Sequence, residues 1–279
     1  MLTFADLPIS RELVAIDASN LRANYDGLTM SEVNPIDDPQ YFVYQHYLDI
    51  LGRSPDAQGL DYWTNQITSC GDNQMCSQAR RVDVSDAFFS EREFQQTGAF
   101  VHRVYKSAFG TNLTYAQFMA DRGSVVGNPQ ELDRSKGEFT NSFVERSDFR
   151  QLYPLTIGVE RFVDALIANT GNSLTEKQRA ELVKGLRNGA ETRGSVLRKV
   201  SENEIFIDRE YNTSFVLTQY YGYLRRDPET EGFDFWLGQI NQYPLRDIGI
   251  QRAMVCSFIT SHEYRLRFGP AVTDYQCGR

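Results

Sequence analysis

The apolar residues of this chain recur at helical rather than strand spacing. In one stretch they fall at positions i, i+4, i+7 and i+8 and so share one face of a helix: Val43, Tyr47, Ile50 and Leu51. Two further stretches show the same kind of spacing, at Val101, Tyr105, Ala108 and Phe109 and at Val216, Tyr220, Tyr223 and Leu224. The alternation of apolar and polar residues that is typical of strands is scarce. The pattern therefore predicts an all-α fold.

Two of these stretches lead, through a proline, into a second predicted helix. Ser54, Pro55 and Asp56 have the composition of an N-cap, a proline at the first helical position and an acid in the first turn. Asp227, Pro228 and Glu229 repeat that composition. The helices predicted after them carry apolar residues at i, i+3 and i+7, namely Leu60, Trp63 and Ile67 in one and Phe233, Trp236 and Ile240 in the other. Since both tryptophans are in phase with apolar neighbours, we expect both in the core.

These two regions are copies of one sequence. Phe42–Ile67 and Phe215–Ile240 align without a gap, and 11 of the 26 positions are identical. Weaker copies start at Phe100 and Phe162, so the four starts are separated by 58, 62 and 53 residues. A second element, an aromatic residue followed by four residues, an acid and another aromatic residue, closes the first, second and fourth copies, at Phe88–Phe94, Phe143–Phe149 and Phe258–Tyr264. The sequence predicts a helical array built from four degenerate helix-loop-helix copies, which pack into one shared core.

The repeat divides the chain into three predicted regions. Residues 1–35 form an N-terminal arm and linker, residues 36–268 the four-copy domain, and residues 269–279 a C-terminal tail. Pro35 and Pro39 mark the linker, because each proline biases the residue before it away from helix. We expect the first 33 residues to dock on the body of the protein or on another copy of the chain.

Composition and charge exclude several classes of protein. The 279 residues include 29 lysines and arginines against 37 acids, a net charge of −8, with no basic block to neutralise phosphate groups. We therefore expect no nucleic acid among its partners. The mean hydropathy is −0.46, and no apolar run approaches the roughly 18 residues of a membrane span. Aromatic residues make up 13% of the chain, which is too many for a disordered protein.

The four cysteines favour two disulfides in an oxidising compartment. Cys70 and Cys76 bracket a polar turn, and Cys256 and Cys277 lie near the C-terminus, so sequential pairing gives Cys70–Cys76 and Cys256–Cys277. Four cysteines permit three pairings, and free thiols or a zinc site are the alternatives. Neither a C-x-x-C nor a histidine pair is present to form a zinc site. The first residues of the chain lack the basic and apolar regions of a secretory signal, so an extracellular location requires that a signal was removed.

The repeated residues resemble a bacterial domain family of unknown function that often occurs in secreted or cell-surface proteins. The shared pattern is F-V-x-x-x-Y-x-x-x-L-G-R-x-P-D-x-x-G-x-x-x-W. The first copy matches it at Phe42, Val43, Tyr47, Leu51, Gly52, Arg53, Pro55, Asp56, Gly59 and Trp63. The fourth copy matches at Phe215, Val216, Tyr220, Leu224, Arg226, Pro228, Gly232 and Trp236, with Arg225 in place of the first glycine. This family is distantly similar to the phycobilisome linker domain, and the resemblance implies an all-helical scaffold, no known catalysis and a role in holding protein assemblies together.

Residues that could carry chemistry have simpler structural interpretations. The three histidines, His46, His102 and His262, form no metal-binding pattern, and we expect them to be solvated or hydrogen-bonded helical residues. Three pairs of acids lie close together in sequence: Asp37 and Asp38, Glu91 and Glu93, and Glu229 and Glu231. A glycosidase would need two such carboxyl groups across a cleft, but helix caps and solvated faces explain these acids equally well. Asp56, Asp227 and Glu229 are expected to cap helices rather than bind calcium. We therefore expect no catalytic residue, cofactor or metal.

The sequence favours a non-enzymatic scaffold at or outside the cell surface. Its partner would be another protein or further copies of this chain, in an oligomer or filament. A secreted carbohydrate-binding module is the alternative, with exposed aromatic residues among Tyr41, Tyr44, Tyr62 and Tyr221. An enzyme of unrecognised type is the third hypothesis, and it would require a deep cleft with acids of perturbed pKa.

Overall fold

Helices account for all the regular structure in the computed structural model, which describes residues 34–126, 128 and 130–270. No strand occurs among these residues, so the predicted all-α class is confirmed. Short 3-10 helices lie at Pro35–Asp37 and Arg122–Ser124. In chain order the α-helices are α1 (Pro39–His46), α2 (Ala57–Thr68), α3 (Gln74–Ser90), α4 (Arg92–Gln96), α5 (Gly98–Phe109), α6 (Tyr115–Asp121), α7 (Leu132–Phe143), α8 (Ser147–Leu152), α9 (Val159–Asn169), α10 (Glu176–Asn188), α11 (Arg193–Ser201), α12 (Glu204–Gln219), α13 (Thr230–Ile240), α14 (Ile248–Ile259) and α15 (His262–Leu266).

In the first and fourth copies, the second helix starts two residues later than predicted. Asp56, not Ser54, is the N-cap of α2, because its Oδ1 accepts a hydrogen bond of 2.8 Å from the backbone N–H of Gly59. Glu229, not Asp227, holds the N-cap position of α13. Each proline therefore precedes the cap instead of occupying the first helical position. The prediction that Asp56 caps a helix is confirmed.

α1 and α12 each continue into a π-helical turn, at Tyr47–Leu51 and Tyr220–Leu224. Both turns end at a residue in the left-handed region, Gly52 with φ 70° and Arg225 with φ 54°. Glycine adopts this conformation freely, whereas Arg225 holds it at a cost of about 1 kcal/mol. The arginine that replaces the glycine of the sequence pattern is thus accommodated in the same backbone conformation.

The described residues divide into two compact units. Unit 1 contains residues 34–92 and those from Leu217 to residue 270, and unit 2 runs from Glu93 to Val216. In unit 1, α2 packs against α1 and α3, α3 packs against α14, and the two π turns pack against each other. Gly222 permits this last approach, because a Cβ there would lie only 3.2 Å from Cγ1 of Ile50. In unit 2, α7 packs against α11, and α5 packs against α9 and α11.

Aromatic rings fill the core of both units. In unit 1 the ring of Phe88 lies edge-on to that of Tyr47 at 4.9 Å, and Tyr223 lies edge-on to Tyr264 at 5.2 Å. In unit 2 Phe143 contacts Tyr105 at 4.9 Å and Phe149 at 6.0 Å. The aromatic residues that begin and end each predicted closing element are buried. Each element runs from the end of a long helix into the short helix that follows it: from α3 to α4, from α7 to α8, and from α14 to α15.

One of the two predicted disulfides is present. Cys70 and Cys76 are bonded to each other and close the turn between α2 and α3. Cys277, the proposed partner of Cys256, lies outside the described residues, so that second pairing stays a prediction. The predicted arm (residues 1–33) and most of the predicted tail (271–279) also lie outside them. Within residues 34–270, no helix is both long and apolar enough to cross a membrane.

A buried carboxylate joins the two π turns. Asp49 lies in the first turn, and its Oδ1 accepts a hydrogen bond of 2.7 Å from Nη2 of Arg225, at the end of the second turn. Its Oδ2 accepts another of 2.5 Å from Nη2 of Arg267. Arg267 Nη1 also donates to the backbone carbonyls of Gly222 and Tyr223, at 3.0 and 2.5 Å, so the same cation holds both turns.

Replacing Asp49 by asparagine should destabilise the fold strongly. The Asp49→Asn variant keeps the shape but leaves the partly buried Arg267 without its carboxylate, and we expect a loss of about 2–3 kcal/mol in the free energy of unfolding. Urea unfolding followed by circular dichroism measures this loss. The control is Asp61→Asn on the exposed face of α2, which should change stability by less than about 0.5 kcal/mol. Equal effects of the two substitutions would contradict a structural role for Asp49.

Candidate interaction surface

The signature residues of the first copy build a structural joint between the π turn and α2. Tyr47 is buried, and its hydroxyl lies so close to Gly59 that a Cβ at that glycine would collide with it. The guanidinium of Arg53 lies 4.9 Å from the centre of the Tyr47 ring and 3.9 Å from Oδ2 of Asp56, the cap of α2. These contacts therefore explain why the sequence pattern contains a tyrosine, a glycine, an arginine and an aspartate together.

The fourth copy builds the same joint with one additional ion pair. A Cβ at Gly232 would collide with the hydroxyl of Tyr220, and Arg226 lies over the Tyr220 ring at 5.6 Å. Nε and Nη2 of Arg226 also donate to the carboxylate of Glu263 in α15, at 2.6 and 3.0 Å. The remaining apolar signature residues are buried, except for the partly exposed Leu224 and Trp236; the buried ones are Phe42, Val43, Leu51, Trp63, Phe215 and Val216.

The histidines do not converge on one site. His46 is buried in unit 1, where its Nδ1 donates to the carbonyl of Phe42 at 2.8 Å and its Nε2 accepts from the Ser85 hydroxyl at 2.7 Å. Burial lowers the pKa of His46 to about 4, which keeps the ring neutral. His102 is buried in unit 2 beside Glu210, with Nε2 at 3.2 Å from Oε2, and His262 is exposed. A serine–histidine pair with no exposed atom stabilises the fold and offers no substrate access.

The paired acids bind neighbouring residues of the fold. Asp37 forms a bidentate ion pair with Arg265, at 2.9 and 2.8 Å, and Asp38 caps α1 by accepting from the backbone N–H of Tyr41 at 2.7 Å. Glu229 pairs with Arg226 at 2.7 Å. Residues 34–270, as far as they are described, contain no group of three or more histidine, cysteine or acidic residues that could hold a metal ion.

An open groove of about 440 Å³ lies between α9 and α10 in unit 2. Its walls carry charges that already pair with each other: Arg187 with Glu160 at the groove, and Arg179 with the nearby Asp164 at 2.5 Å. Lys184 also lines the groove.

The most unusual surface of the described chain is α13. Ile240 is its only buried residue, although the helix is rich in apolar side chains. Phe235 is 56% exposed, and Phe233, Trp236 and Leu237 are partly exposed. The chain that follows adds three more exposed apolar residues, Tyr243, Leu245 and Ile248. We call these seven residues the α13 surface.

Sequence reasoning did not find this surface, because α13 has the same pattern as α2, whose apolar face is buried. Trp63 is 7% exposed and confirms its predicted core position, whereas Trp236 is only partly buried, with its ring packed against that of the buried Phe258 at 6.0 Å. The difference arises because α2 packs against both α1 and α3, while α13 packs chiefly against α14. The periodicity shows which residues share a face, but not whether another helix covers that face.

Three of the four tyrosines named for a sugar-binding face lack the exposure that this role requires. Tyr41, Tyr44 and Tyr221 are buried and present no ring face, and Tyr62 is partly exposed. The exposed aromatic rings of unit 1 are instead Phe235 and Tyr243. Large exposed apolar side chains such as these are candidates for contacts with another molecule.

The joint at Gly59 can be tested by adding one methyl group. We expect Gly59→Ala to lower the free energy of unfolding by about 1–3 kcal/mol, because the buried Tyr47 hydroxyl cannot move away. Tyr47→Phe in the same chain removes the colliding oxygen and should recover part of the loss. Gly238→Ala in α13 is the control, because nothing lies within 4 Å of its added Cβ, and it should be neutral or slightly stabilising. Equal effects of the two glycine substitutions would contradict the close packing of Gly59 against the Tyr47 hydroxyl.

Two buried groups of unit 1 give opposite dependences of stability on pH. Burial raises the pKa of Asp86 to about 6. Because the folded carboxyl takes up its proton first, Asp86 makes the fold more stable as the pH falls from about 6 to 4. For His46 the unfolded chain takes up the proton first, so the fold loses stability as the pH falls from about 6.5 to 4.

In an Asp86→Asn variant, Asp86 should therefore no longer offset the loss of stability that His46 causes at low pH. Between pH 7 and pH 4 the variant should lose about 2 kcal/mol more of its free energy of unfolding than the unmodified chain does, since each pKa unit corresponds to about 1.4 kcal/mol. Urea titrations at the two pH values measure the difference, with Asp234→Asn on the exposed face of α13 as the control. Identical pH dependence of the Asp86 variant and the unmodified chain would contradict this assignment.

Comparison with known proteins identifies part of the chain. A family model described as a domain of unknown function (DUF4214) matches residues 35–97. These residues contain the first signature segment together with α1, the first π turn and α2 to α4. No curated protein and no solved structure matches the chain. Residues 35–97 are thus a DUF4214 domain, whose family description names no activity.

Proposed function

We propose that this chain is a non-enzymatic structural scaffold that makes protein–protein contacts, including contacts with copies of itself. The observation that carries the proposal is the α13 surface, with Phe235 56% exposed and Ile248 63% exposed. Large apolar side chains on a rigid helix are the residues that anchor protein interfaces, because burying them removes apolar area from water. Burial of a side chain of this size contributes roughly 1.5–3 kcal/mol when it is complete.

The way the chain uses its charged groups supports a structural rather than an enzymatic role. Three aspartates each bind an arginine of their own unit: Asp49 binds Arg267, Asp37 binds Arg265 and Asp121 binds Arg146. Such pairs fix the positions of helices and engage these three carboxylates within the fold. The groove between α9 and α10 offers paired charges and no catalytic arrangement.

We further propose that the fold is an array of four copies arranged as two pairs. In unit 1 the first helices of the first and fourth copies meet at their π turns, and the third helices, α3 and α14, pack together. In unit 2 the corresponding elements of the second and third copies meet in the same way, α5 with α9 and α7 with α11. The resemblance to the phycobilisome linker domain adds an expectation, by analogy alone, that such an array holds assemblies together.

An extracellular or cell-surface location is part of the proposal. The disulfide between Cys70 and Cys76 supports it, because such bonds form and persist in oxidising compartments.

Carbohydrate binding is the second candidate, favoured by one observation. The exposed rings of Phe235 and Tyr243 lie close in sequence to the amides of Gln239 and Gln242, and sugars bind to proteins by stacking on rings and hydrogen-bonding to amides. Retardation of the monomer on polysaccharide gels, lost in Tyr243→Ala, would favour this role over a protein scaffold.

Self-association through the α13 surface can be measured directly by light scattering. The purified chain should show a mass above 32.0 kDa that rises with concentration. Phe235→Glu places a charge at the centre of the surface and should weaken association at least about tenfold, which corresponds to about 1.4 kcal/mol. The control is Met75→Glu, which adds a charge at a residue that is 80% exposed on α3. A mass of 32.0 kDa at every concentration, or equal effects of both variants, would contradict self-assembly through this surface.

A further inference from the structure

One face of α13, together with the turn that follows it, carries four exposed residues in line. Glu231, Phe235, Gly238 and Gln242 follow one another at intervals of four, three and four residues, so they lie on the same side of the helix. Gln242 lies just beyond the last helical residue, but its side-chain amide donates to the backbone carbonyl of Gly238 at 3.2 Å, which keeps it in line. We call these four residues the α13 stripe.

Gly238 leaves an open space on the stripe, next to a large exposed ring. No atom of the described chain lies within 4 Å of the position that a Cβ would take there, so packing within the described residues does not require a glycine. A glycine inside an exposed helix costs about 1 kcal/mol relative to alanine. Phe235, which is 56% exposed, lies about 4.5 Å from Gly238 along the helix axis. A ring and an open space fit each other when two helices pack side by side.

The α13 stripe is complementary to itself when it is read in the opposite direction. If a second copy of α13 packs antiparallel, with the two-fold axis midway between positions 235 and 238, the ring of Phe235 meets the open space at Gly238 of the other copy. The same axis places Glu231 opposite Gln242 of the other copy, where the carboxylate accepts a hydrogen bond from the second N–H of the amide. Each contact occurs twice, as a two-fold axis requires.

Charge distinguishes the antiparallel arrangement from a parallel one. In a parallel pair each side chain lies opposite its own copy, so Glu231 meets Glu231 and the two carboxylates repel each other. The antiparallel pair brings every acid of the stripe to an amide instead. The corresponding positions of α2 contain neither an acid nor a glycine, so that helix lacks the pattern. Those positions are Gln58, Tyr62, Asn65 and Ser69.

We infer that α13 binds α13 of a second copy, antiparallel and about a two-fold axis, with Phe235 of each chain in the open space at Gly238 of the other. The inference rests on the proposed function and deepens it, since it fixes how the second copy binds. Both chains use the same residues, so the contact closes after two copies and does not propagate. The mass of the assembly should therefore level off at twice 32.0 kDa as the concentration rises.

Exchanging the ring and the open space tests this pairing in the full-length chain. Phe235→Ala leaves the space unfilled, and Gly238→Phe places a second ring where the ring of the other chain enters. We expect each single variant to weaken dimerisation at least about tenfold, as measured by light scattering over a range of concentrations. The double variant Phe235→Ala with Gly238→Phe moves the ring to position 238 and the small residue to position 235. It should dimerise within about threefold of the unmodified chain.

A second pair of variants tests the direction of packing. Gln242→Glu places a carboxylate opposite Glu231 of the other copy and should weaken dimerisation, whereas Gln242→Lys places an ammonium group there and should strengthen it, each by about threefold. In a parallel pair both substitutions bring like charges together and weaken dimerisation. The controls are Ser69→Glu and Ser69→Lys at the matched exposed position of α2, which should leave dimerisation unchanged.

Asn65→Phe, which adds a ring at the position of α2 that corresponds to Gly238, should leave dimerisation unchanged, and circular dichroism should show every variant folded. Recovery in the double variant, with a mass that levels off at twice 32.0 kDa, supports the inference. No recovery, the same sign of effect for both Gln242 variants, or a mass that keeps rising overturns it. If Phe235→Glu still weakens association in that case, the proposed function stands and the inference alone fails. A mass of 32.0 kDa at every concentration overturns both.

Discussion

The carboxylate of Asp49 is the interaction on which the arrangement of unit 1 depends. It lies between the guanidinium groups of Arg225 and Arg267, which come from the far end of the sequence, and it brings the two π turns into contact. Gly222 lets the turns approach closely, and Arg267 also binds two carbonyls of the second turn. A buried acid of this kind is costly to remove, because the largely buried guanidinium of Arg267 would lose its carboxylate.

Around this contact the two signature segments build one joint twice and use it differently. In each, a buried tyrosine hydroxyl lies against a glycine, and an arginine covers the tyrosine ring. The helix after the first joint is covered and completes the core, while the helix after the second leaves Phe235 and its neighbours exposed. The joint thus stabilises both places, and α13, the helix with the more exposed apolar residues, is the binding surface that we propose.

The sequence was sufficient to predict the helical class, the Cys70–Cys76 disulfide and the buried positions of Val43, Tyr47 and Trp63, because each depends on local spacing. It could not show the π turns, since their residues follow the same apolar pattern as an α-helix. The pairing of Asp49 with Arg225 and Arg267 joins residues 176 and 218 positions apart, which a single sequence does not indicate. The exposure of α13 was missed because Phe233, Trp236 and Ile240 have the spacing of a core helix.

Amide hydrogen exchange of α2 and α13, compared at low and high protein concentration, tests the central claim most directly. If α13 makes the contacts of this protein, its amides should exchange more slowly as the concentration rises, while those of α2 stay unchanged. The two helices share one sequence pattern, so α2 is an internal reference for the effect of folding alone. Exchange in α13 that is independent of concentration, or equal slowing in both helices, would contradict the assignment of the α13 surface as the site of assembly.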